Sequence, residues 1–279
     1  MQVTTADGVR LSIRRHAAAG ERRAVLLCTH AMMANGSYFE RGFAQHLAGR
    51  GVDVYVLDWR GHGESRPPHP RRDHWVFEDY VERDLPAAMN AVAADAAVDV
   101  EDLVYLGHSL GGLAGLAGFS TRTAPRPRRV TVWATSVWLP GPSGPWRRRA
   151  MMRFYRYAAR PLGYAPVRAL RLGTDDEQRG YVDQLTGWAA SGRWTSSAGE
   201  DYTAALEGLA ITTWGVNGDG DRLCIAPDAQ ILLDRLPGAL PLRRAGTAQG
   251  DALDPDHFSL FTKTELSPLW DELVEFATG

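Results

Sequence analysis

The sequence contains almost no lysine and very little cysteine. Lys263 is the single lysine among 31 basic residues, so arginine carries nearly all of the positive charge. Because 33 acidic residues leave a formal net charge of −2, no bulk attraction to nucleic acid or to an anionic membrane surface is expected. Cys28 and Cys224 lie far apart in apolar stretches, which favours two buried free thiols over a disulfide.

No segment of the sequence has the features of a membrane anchor or a secretion signal. No uninterrupted apolar run approaches the length of about 18 residues that a membrane-spanning helix needs. Residues 1–8 lack the basic and apolar regions of a signal peptide. A chain of 279 residues with 44% hydrophobic and 23% charged residues is typical of one globular domain, with or without a modest insertion. We therefore expect a cytoplasmic protein with no membrane span.

Short apolar runs alternate with helical patterns along most of the chain. Buried strands are predicted at residues 24–29, 52–57, 103–106, 130–134 and 211–216, with an edge strand at 9–16. Helical patterns follow several of them, at 37–49, 79–94 and 110–119. This alternation indicates βαβ units, and hence an α/β fold in which helices cover both faces of a mainly parallel, twisted sheet.

The alternation stops between residues 136 and 208. This segment is rich in proline and tryptophan and contains a basic cluster at residues 147–149. We predict that residues 136–208 form a helical insertion and that residues 1–135 and 209–279 form the core of the fold.

One motif joins a predicted strand to a helix of small residues. The strand at 103–106 runs directly into Gly107-His108-Ser109-Leu110-Gly111. A sharp strand-to-helix turn leaves no room for side chains beside its central residue, which explains the flanking glycines. Such a turn projects the hydroxyl of Ser109 above the sheet, where the backbone N–H of Leu110 can donate to an oxyanion. Ser109 is therefore predicted to be a nucleophile.

Further segments occur in an order that resembles the α/β-hydrolase superfamily. They are Thr29-His30-Ala31-Met32, Asp58-Trp59-Arg60-Gly61-His62-Gly63-Glu64-Ser65, Gly218-Asp219-Gly220-Asp221 and Asp256-His257-Phe258. The resemblance covers nearly the whole chain and implies that nucleophile, acid and histidine follow one another in that order. The motifs look most like those of serine esterases and lipases. We expect no cofactor and no metal.

A serine hydroxyl needs a histidine within hydrogen-bond reach to become a good nucleophile. Among the eight histidines, the resemblance implies His257, which lies in a late loop before the final helical segment. Two aspartates after the strand at 211–216 could orient its imidazole. The apolar residues and Pro227 that follow Asp221 resemble the family's acid and favour Asp221. Asp219 remains the alternative, although its glycine neighbours suit a turn residue.

A second oxyanion donor in relatives comes from the loop after the first buried strand, where they read His-Gly-x. This chain departs from that pattern with Ala31, and the resemblance implies the backbone N–H of Met32 as the donor. Since this loop and the turn around the serine border the site, we also expect His30, Ala31, Met33 and His108 to contact the substrate.

The insertion stands where relatives carry a lid over the active site. We expect its aromatic residues to line an apolar acyl pocket, with Trp138 and Trp146 contacting the substrate. The alternative is that the aromatics, which include Trp188 and Trp194, hold the insertion together as a small core. The arginines at 147–149, with Arg153, Arg156 and Arg160, could meet an anionic substrate or an acyl carrier protein, and a solvated helix face is the simpler explanation.

Three functions are consistent with these patterns. The first is hydrolysis of an apolar ester or lactone through an acyl-enzyme on Ser109. The second is acyl transfer or thioester hydrolysis by the same triad, and the third is a non-catalytic ligand-binding protein. Other members of the superfamily that the chain resembles use a different residue at this turn: dehalogenases and epoxide hydrolases use aspartate, and dienelactone-type enzymes use cysteine. Serine at position 109 therefore excludes these reactions. The intact triad pattern favours the ester hydrolase.

Overall fold

The computed structural model describes residues 1–137 and 146–279 of the chain. The strands in these ranges are β1 (Gln2–Thr4), β2 (Arg10–His16), β3 (Ala24–Thr29), β4 (Val52–Leu57), β5 (Val104–His108), β6 (Arg129–Trp133), β7 (Tyr164–Ala165), β8 (Glu177–Gln178), β9 (Thr213–Gly218) and β10 (Arg243–Ala245). The helices are α1 (Phe43–Ala48), α2 (Phe77–Asp79), α3 (Leu85–Ala96), α4 (Leu110–Thr121), α5 (Trp146–Leu162), α6 (Arg179–Ser191), α7 (Tyr202–Ala205), α8 (Ala226–Leu233), α9 (Ser259–Thr262) and α10 (Ser267–Thr278). A π-helical turn, Tyr80–Asp84, joins α2 to α3. In this part of the chain, no helix combines the length and the apolar character needed to cross a bilayer.

Eight of the described strands form one sheet, in the order β1-β2-β4-β3-β5-β6-β9-β10. Neighbouring strands from β4 to β10 are parallel, whereas the β1–β2 and β2–β4 pairs are antiparallel. The predicted α/β fold is therefore confirmed. Because parallel strands end at the same edge of the sheet, the loops after β3, β5 and β9 lie along one edge. These loops carry most of the residues predicted to do chemistry.

Helices pack on both faces of the sheet. β3 and β4 have the predicted bounds because both are mostly apolar and nearly completely buried. In β3, Leu27 packs in the cluster that contains α3 and α4, whereas Leu26 and Cys28 pack with α1 and α10 on the other face. Cys28 and Cys224 are both buried and are not joined in a disulfide, as predicted. Removal of these apolar side chains from water is the main stabilisation of the fold.

Residues 146–208 add helices, together with the separate two-stranded pair of β7 and β8. Trp188 and Trp194 are buried and pack around Phe77, in contact with Tyr181 and Tyr202. These tryptophans belong to the main core cluster, so they line neither the cavity nor a separate small core of their own. The division into a core and a lid at residues 136–208 stays a prediction.

Candidate active site

Ser109 occupies a strained turn between β5 and α4. Its backbone has φ 53° and ψ −111°, a conformation that residues with a side chain rarely adopt. A β-carbon at Gly107 would lie 2.5 Å from the backbone of α4, and one at Gly111 would overlap Thr29, so glycine is required at both positions. Leu110 begins α4, and its backbone N–H therefore has no partner within the helix.

His257 lies in the loop before α9 and directs its Nδ1 atom at a buried carboxylate. Nδ1 is 2.7 Å from Oδ2 of Asp221, whose side chain is 0% exposed. The other oxygen of Asp221 accepts the backbone N–H groups of Leu223 and Cys224, at 2.7 and 2.9 Å. Because an ionised carboxylate only accepts hydrogen bonds, Asp221 favours the tautomer in which Nδ1 of His257 carries the proton. The Nε2 atom is then able to accept a proton.

Asp219, the alternative acid, has a different partner. Its carboxylate pairs with the guanidinium of Arg244 at 2.9 Å. Its backbone N–H donates to the carbonyl of Ala245 at 2.8 Å, which ties the turn after β9 to β10. The structure therefore places Asp221 beside His257 and Asp219 in the supporting turn.

Ser109 and His257 line the same cavity, which has a volume of about 100 Å³. The other residues along its wall are Met32, Met33, Leu110, Leu113, Ser136, Met152, Leu172, Tyr181, Leu185, Leu223, Cys224 and Phe258. Most of this wall is apolar, and α5 and α6 contribute Met152, Tyr181 and Leu185 to it. An apolar wall with a few polar groups at one side is typical of a site for an apolar small molecule.

The β3 loop (residues 30–35) presents three consecutive backbone N–H groups near this cavity. The N–H of Ala31 donates to the hydroxyl of Tyr38 at 3.1 Å, and the N–H of Met33 donates to the carboxylate of Glu177 at 3.1 Å. Among the residues that the structure describes, none accepts the N–H of Met32, which lies between them at the cavity wall. Met32 therefore lies at the cavity wall with an N–H that is unpaired within the described part of the chain.

His30 and Ala31 lie beneath the cavity, whereas we expected them to contact the substrate. Nε2 of His30 accepts the backbone N–H of Trp59 at 3.0 Å, and Nδ1 is 2.7 Å from the carbonyl of Ala31. Burial and the neighbouring ring of His62 lower the pKa of His30 to about 4, so the ring is neutral near pH 7. Both ring nitrogens of His30 are committed to the backbone, and the contact with Trp59 ties the start of the β3 loop to the segment after β4.

His108 also differs from the expectation of substrate contact. Its Nδ1 accepts the hydroxyl of Tyr38 at 2.6 Å, while that hydroxyl accepts the N–H of Ala31. Burial, reinforced by the ring of His257 with its centre 4.6 Å away, holds the pKa of His108 well below its ordinary value. Residues of a strand alternate between its two faces, and this neutral ring packs beneath the site.

Of the two tryptophans predicted to bind the substrate, the structure describes Trp146. Trp146 is 68% exposed and is not part of the wall that the structure describes, and Trp138 falls outside the described residues. The aromatic residue that α6 supplies is Tyr181, which sequence reasoning missed. The sequence could have predicted Leu113 and Phe258 as wall residues. Leu113 lies one turn into α4, and Phe258 directly follows His257.

Comparisons with known proteins identify the family and the fold of the chain. The sequence model of the alpha/beta hydrolase fold family matches residues 24–201. Lipase member N of Homo sapiens is 30% identical over 137 residues, which cover 43% of this chain and 34% of that protein. Triacylglycerol lipase 2 of Arabidopsis thaliana is 30% identical over 139 residues, which cover 43% of this chain and 32% of that protein. The matched region thus spans about a third of the length of these curated relatives.

A solved structure extends the likeness of fold to the whole chain. An esterase from Exiguobacterium antarcticum superposes with a TM-score of 0.69 at 15% sequence identity, over 100% of this chain and 99% of that one. The family match covers more than half of the sequence and includes β3, the turn at Ser109 and most of the insertion. The chain belongs to the α/β-hydrolase fold family.

Proposed function

We propose that the protein is a serine hydrolase that cleaves an apolar carboxylic ester or lactone through an acyl-enzyme on Ser109. The observation that carries this proposal is the 2.7 Å contact between His257 and Asp221, beside a cavity that Ser109 also lines. The likeness of part of this chain to lipases supports an ester as the substrate.

In the first half of the reaction, the acyl group moves to the serine. Oγ of Ser109 attacks the carbonyl carbon while Nε2 of His257 takes the hydroxyl proton. Asp221 holds the ring in place and stabilises the imidazolium that forms. His257 then gives this proton to the departing alcohol oxygen as the carbon–oxygen bond of the ester breaks.

Two backbone N–H groups are the proposed donors to the oxyanion. The carbonyl oxygen gains negative charge during attack, and preorganised donors stabilise that charge most effectively where water is excluded. Met32 supports this role because the amides on either side of it are already bonded. Leu110 supports it because it begins α4, where the helix dipole adds positive potential.

In the second half of the reaction, water releases the acid. His257 removes a proton from a water molecule, which attacks the acyl carbon, and the bond to Ser109 breaks as Oγ regains its proton. The products are a carboxylic acid and an alcohol, and the enzyme returns to its starting state.

The wall of the cavity favours an uncharged acyl group. Along the described wall, no side chain belongs to aspartate, glutamate, lysine or arginine. A charged acyl chain would lose its hydration there without gaining a partner. The volume of about 100 Å³ lies below the range of about 300–1,000 Å³ that drug-sized ligands occupy, which favours short acyl chains. An acyl carrier protein as partner and a cytoplasmic location stay predictions of the sequence.

The direct test is an activity assay on p-nitrophenyl esters from acetate to decanoate. We expect the wild-type protein to prefer the shorter chains and Ser109→Ala to lose at least about a thousandfold in kcat. Ser120→Ala is the matched control, because Ser120 lies at the far end of the same helix, with its hydroxyl bonded to the carbonyl of Ala117 at 3.0 Å.

The outcomes separate the alternatives. Equal activity of wild type and Ser109→Ala would show that the serine is not the nucleophile. Activity on acyl thioesters but not on oxygen esters would favour a thioesterase. If the wild-type protein hydrolyses neither oxygen esters nor thioesters, a ligand-binding protein is favoured.

A further inference from the structure

A carboxylate from the insertion is buried directly behind the β3 loop. Glu177 lies in β8, and its side chain is 0% exposed. It accepts the backbone N–H of Met33 at 3.1 Å and the hydroxyl of Tyr80 at 3.2 Å. The hydroxyl of Tyr80 in turn accepts the indole N–H of Trp75 at 2.6 Å, which directs its own proton to Glu177. No step of the proposed reaction uses this carboxylate.

His62 supplies the charge that balances Glu177. Its Nε2 is 3.3 Å from the carboxylate of Glu177, and its Nδ1 is 2.9 Å from the carbonyl of Arg60. Since both partners are acceptors, both ring nitrogens carry a proton and the ring is a cation. Burial disfavours this charge, but Glu177 and then Asp175 outweigh the effect and raise the pKa of His62 to about 9. Although burial acts to raise the pKa of Glu177, the same cation holds that pKa below its ordinary value.

The segment that carries Glu177 also binds the backbone carbonyl of Met33. The carbonyl of Met33 accepts the backbone N–H groups of Thr174 and Asp175, at 3.0 and 3.2 Å. The carboxylate of Asp175 accepts the side-chain amide of Asn35 at 2.7 Å. Met33 itself has φ 60°, a left-handed conformation that is strained for methionine and needs such support. Residues 174–177 therefore fix the β3 loop through both the N–H and the C=O of Met33.

Stability alone is a poor explanation for this arrangement. A buried ion pair often contributes no more to stability than well-packed apolar side chains of the same volume. The contact with Met33 gives the carboxylate a more specific effect, because it occupies the N–H of Met33, as the hydroxyl of Tyr38 occupies the N–H of Ala31. The N–H of Met32, between them, is left unpaired within the described part of the chain.

We propose that Glu177, neutralised by His62, is a positioning residue that sets the β3 loop so that the Met32 amide serves as oxyanion donor. The inference rests on the proposed function and extends it, since it makes the oxyanion site depend on the insertion as well as on the core. Glu177 acts through Met33 and does not touch the substrate.

The first test compares Glu177→Gln with Asp84→Asn. Asp84 is an equally buried carboxylate that pairs with Arg60 at 2.7 Å, and it has no contact with the β3 loop among the described residues. We expect Glu177→Gln to lower kcat about tenfold to a hundredfold with little change in KM, because complete loss of a donor costs about 10²–10³ in kcat. Asp84→Asn should leave the ratio of kcat to KM close to that of wild type when equal amounts of folded protein are compared.

A second measurement does not depend on activity. Selective ¹⁵N labelling of the six methionines reports hydrogen exchange at the amides of Met32, Met33 and Met89 by NMR. In wild type, Met33 should exchange more slowly than Met32, and this comparison needs no variant. In Glu177→Gln, we expect exchange at Met33 to be about tenfold faster, since a neutral amide oxygen is a weaker acceptor of this N–H than the charged carboxylate. Met89, buried in α3, is the internal reference and should not change.

A third measurement keeps Glu177 and removes its counter-charge. Without the cation, the buried carboxyl of Glu177 titrates at a higher pH, and its protonation weakens the hold on Met33. His62→Asn should therefore shift the acid limb of the kcat profile to higher pH, whereas Asp84→Asn should not. A purely structural role for His62 would lower stability and leave that limb in place.

The outcomes distinguish the two proposals. Met33 exchanging as fast as Met32 in wild type, or an active wild type with Glu177→Gln behaving like Asp84→Asn, would overturn the positioning role alone. A wild-type protein that hydrolyses no ester and whose Ser109 forms no adduct with an activated phosphonate would refute the proposed function, and the positioning role with it.

Discussion

Asp221 and His257 are joined by a hydrogen bond of 2.7 Å although they are 36 residues apart in the sequence. One follows β9 and the other precedes α9, so the sheet edge and the last loop of the core must both form before the pair exists. Because the rest of the Asp221 carboxylate is occupied by two backbone N–H groups, its position is fixed before any substrate arrives. The fold thus fixes the geometry of the pair, as the proposed proton transfer at Nε2 of His257 requires.

Replacing each of the two candidate acids by asparagine tests this pair. Asp221→Asn should lower kcat by about 10⁴, the loss seen when the aspartate of a serine protease triad becomes asparagine, because the imidazole then adopts the wrong tautomer. Asp219→Asn is the matched control and should retain most of the activity, since Asp219 pairs with Arg244. Steady-state kinetics on one ester measures both. A larger loss in Asp219→Asn would reverse the assignment.

The hydroxyl of Tyr38 provides a second test. Tyr38→Phe leaves the N–H of Ala31 and Nδ1 of His108 without their shared partner. Loss of a buried hydrogen-bond partner costs about 1–3 kcal/mol, so we expect the free energy of unfolding in urea to fall by that amount. Tyr157→Phe, at a side chain that is 61% exposed, should change it by less than about 0.5 kcal/mol. Equal stability of the two variants would contradict the assigned contacts.

The stability that the His62–Glu177 pair adds should depend on pH in one direction. The pKa of His62 in the folded protein is about 9, above its ordinary value of 6.5. The added stability is therefore complete between pH 4.5, the ordinary pKa of a glutamate, and pH 6.5, and it is lost as the pH rises through 9. Besides Glu177, the groups that face His62 are Asp175, which also favours the cation, and the neutral ring of His30.

Urea unfolding of wild type and Glu177→Gln between about pH 6 and about pH 10 measures this effect. We expect wild type to exceed the variant in free energy of unfolding by about 3 kcal/mol at the acidic end of this range, and by much less at the alkaline end. A difference that stays constant over this range would show that His62 is not a buried cation.

The size of Met152 should limit the length of the acyl chain. Met152 is buried, comes from α5 and lies along the cavity wall. Met152→Ala frees space for about two methylene groups, and each buried methylene contributes about 0.8 kcal/mol, or roughly fourfold in kcat/KM. We expect the ratio of kcat/KM for octanoate over butyrate to rise about fifteenfold. Met89→Ala, in the core at α3, should lower stability without changing that ratio.

The sequence predicted the parts of the fold that depend on local pattern. β3 and β4 have their predicted bounds because long apolar runs leave little choice of register. β1 and β10 were missed, since each has only three residues and little apolar character. The helix predicted at 79–94 begins at Phe77 and contains a π-helical turn, which no periodic pattern reveals.

The candidate site was likewise predicted from the sequence only in part. Ser109, Asp221 and His257 follow from motifs, because a strained turn or a particular loop requires particular residues. Tyr181 and Glu177 have no such signal, because their positions depend on how the insertion packs against the core. The structure does not place His30 and His108 along the cavity wall, because both rings are buried and bond instead to the backbone N–H of Trp59 and to the hydroxyl of Tyr38.

Reaction with a fluorophosphonate probe tests the central claim most directly. The probe forms a covalent bond only with an activated serine, and mass spectrometry of the digested protein identifies the residue that carries it. We predict a single adduct on Ser109 in wild type, no adduct in Ser109→Ala, and a much slower reaction in Asp221→Asn. An unlabelled wild-type protein, or an adduct on another serine that persists in Ser109→Ala, would contradict the account.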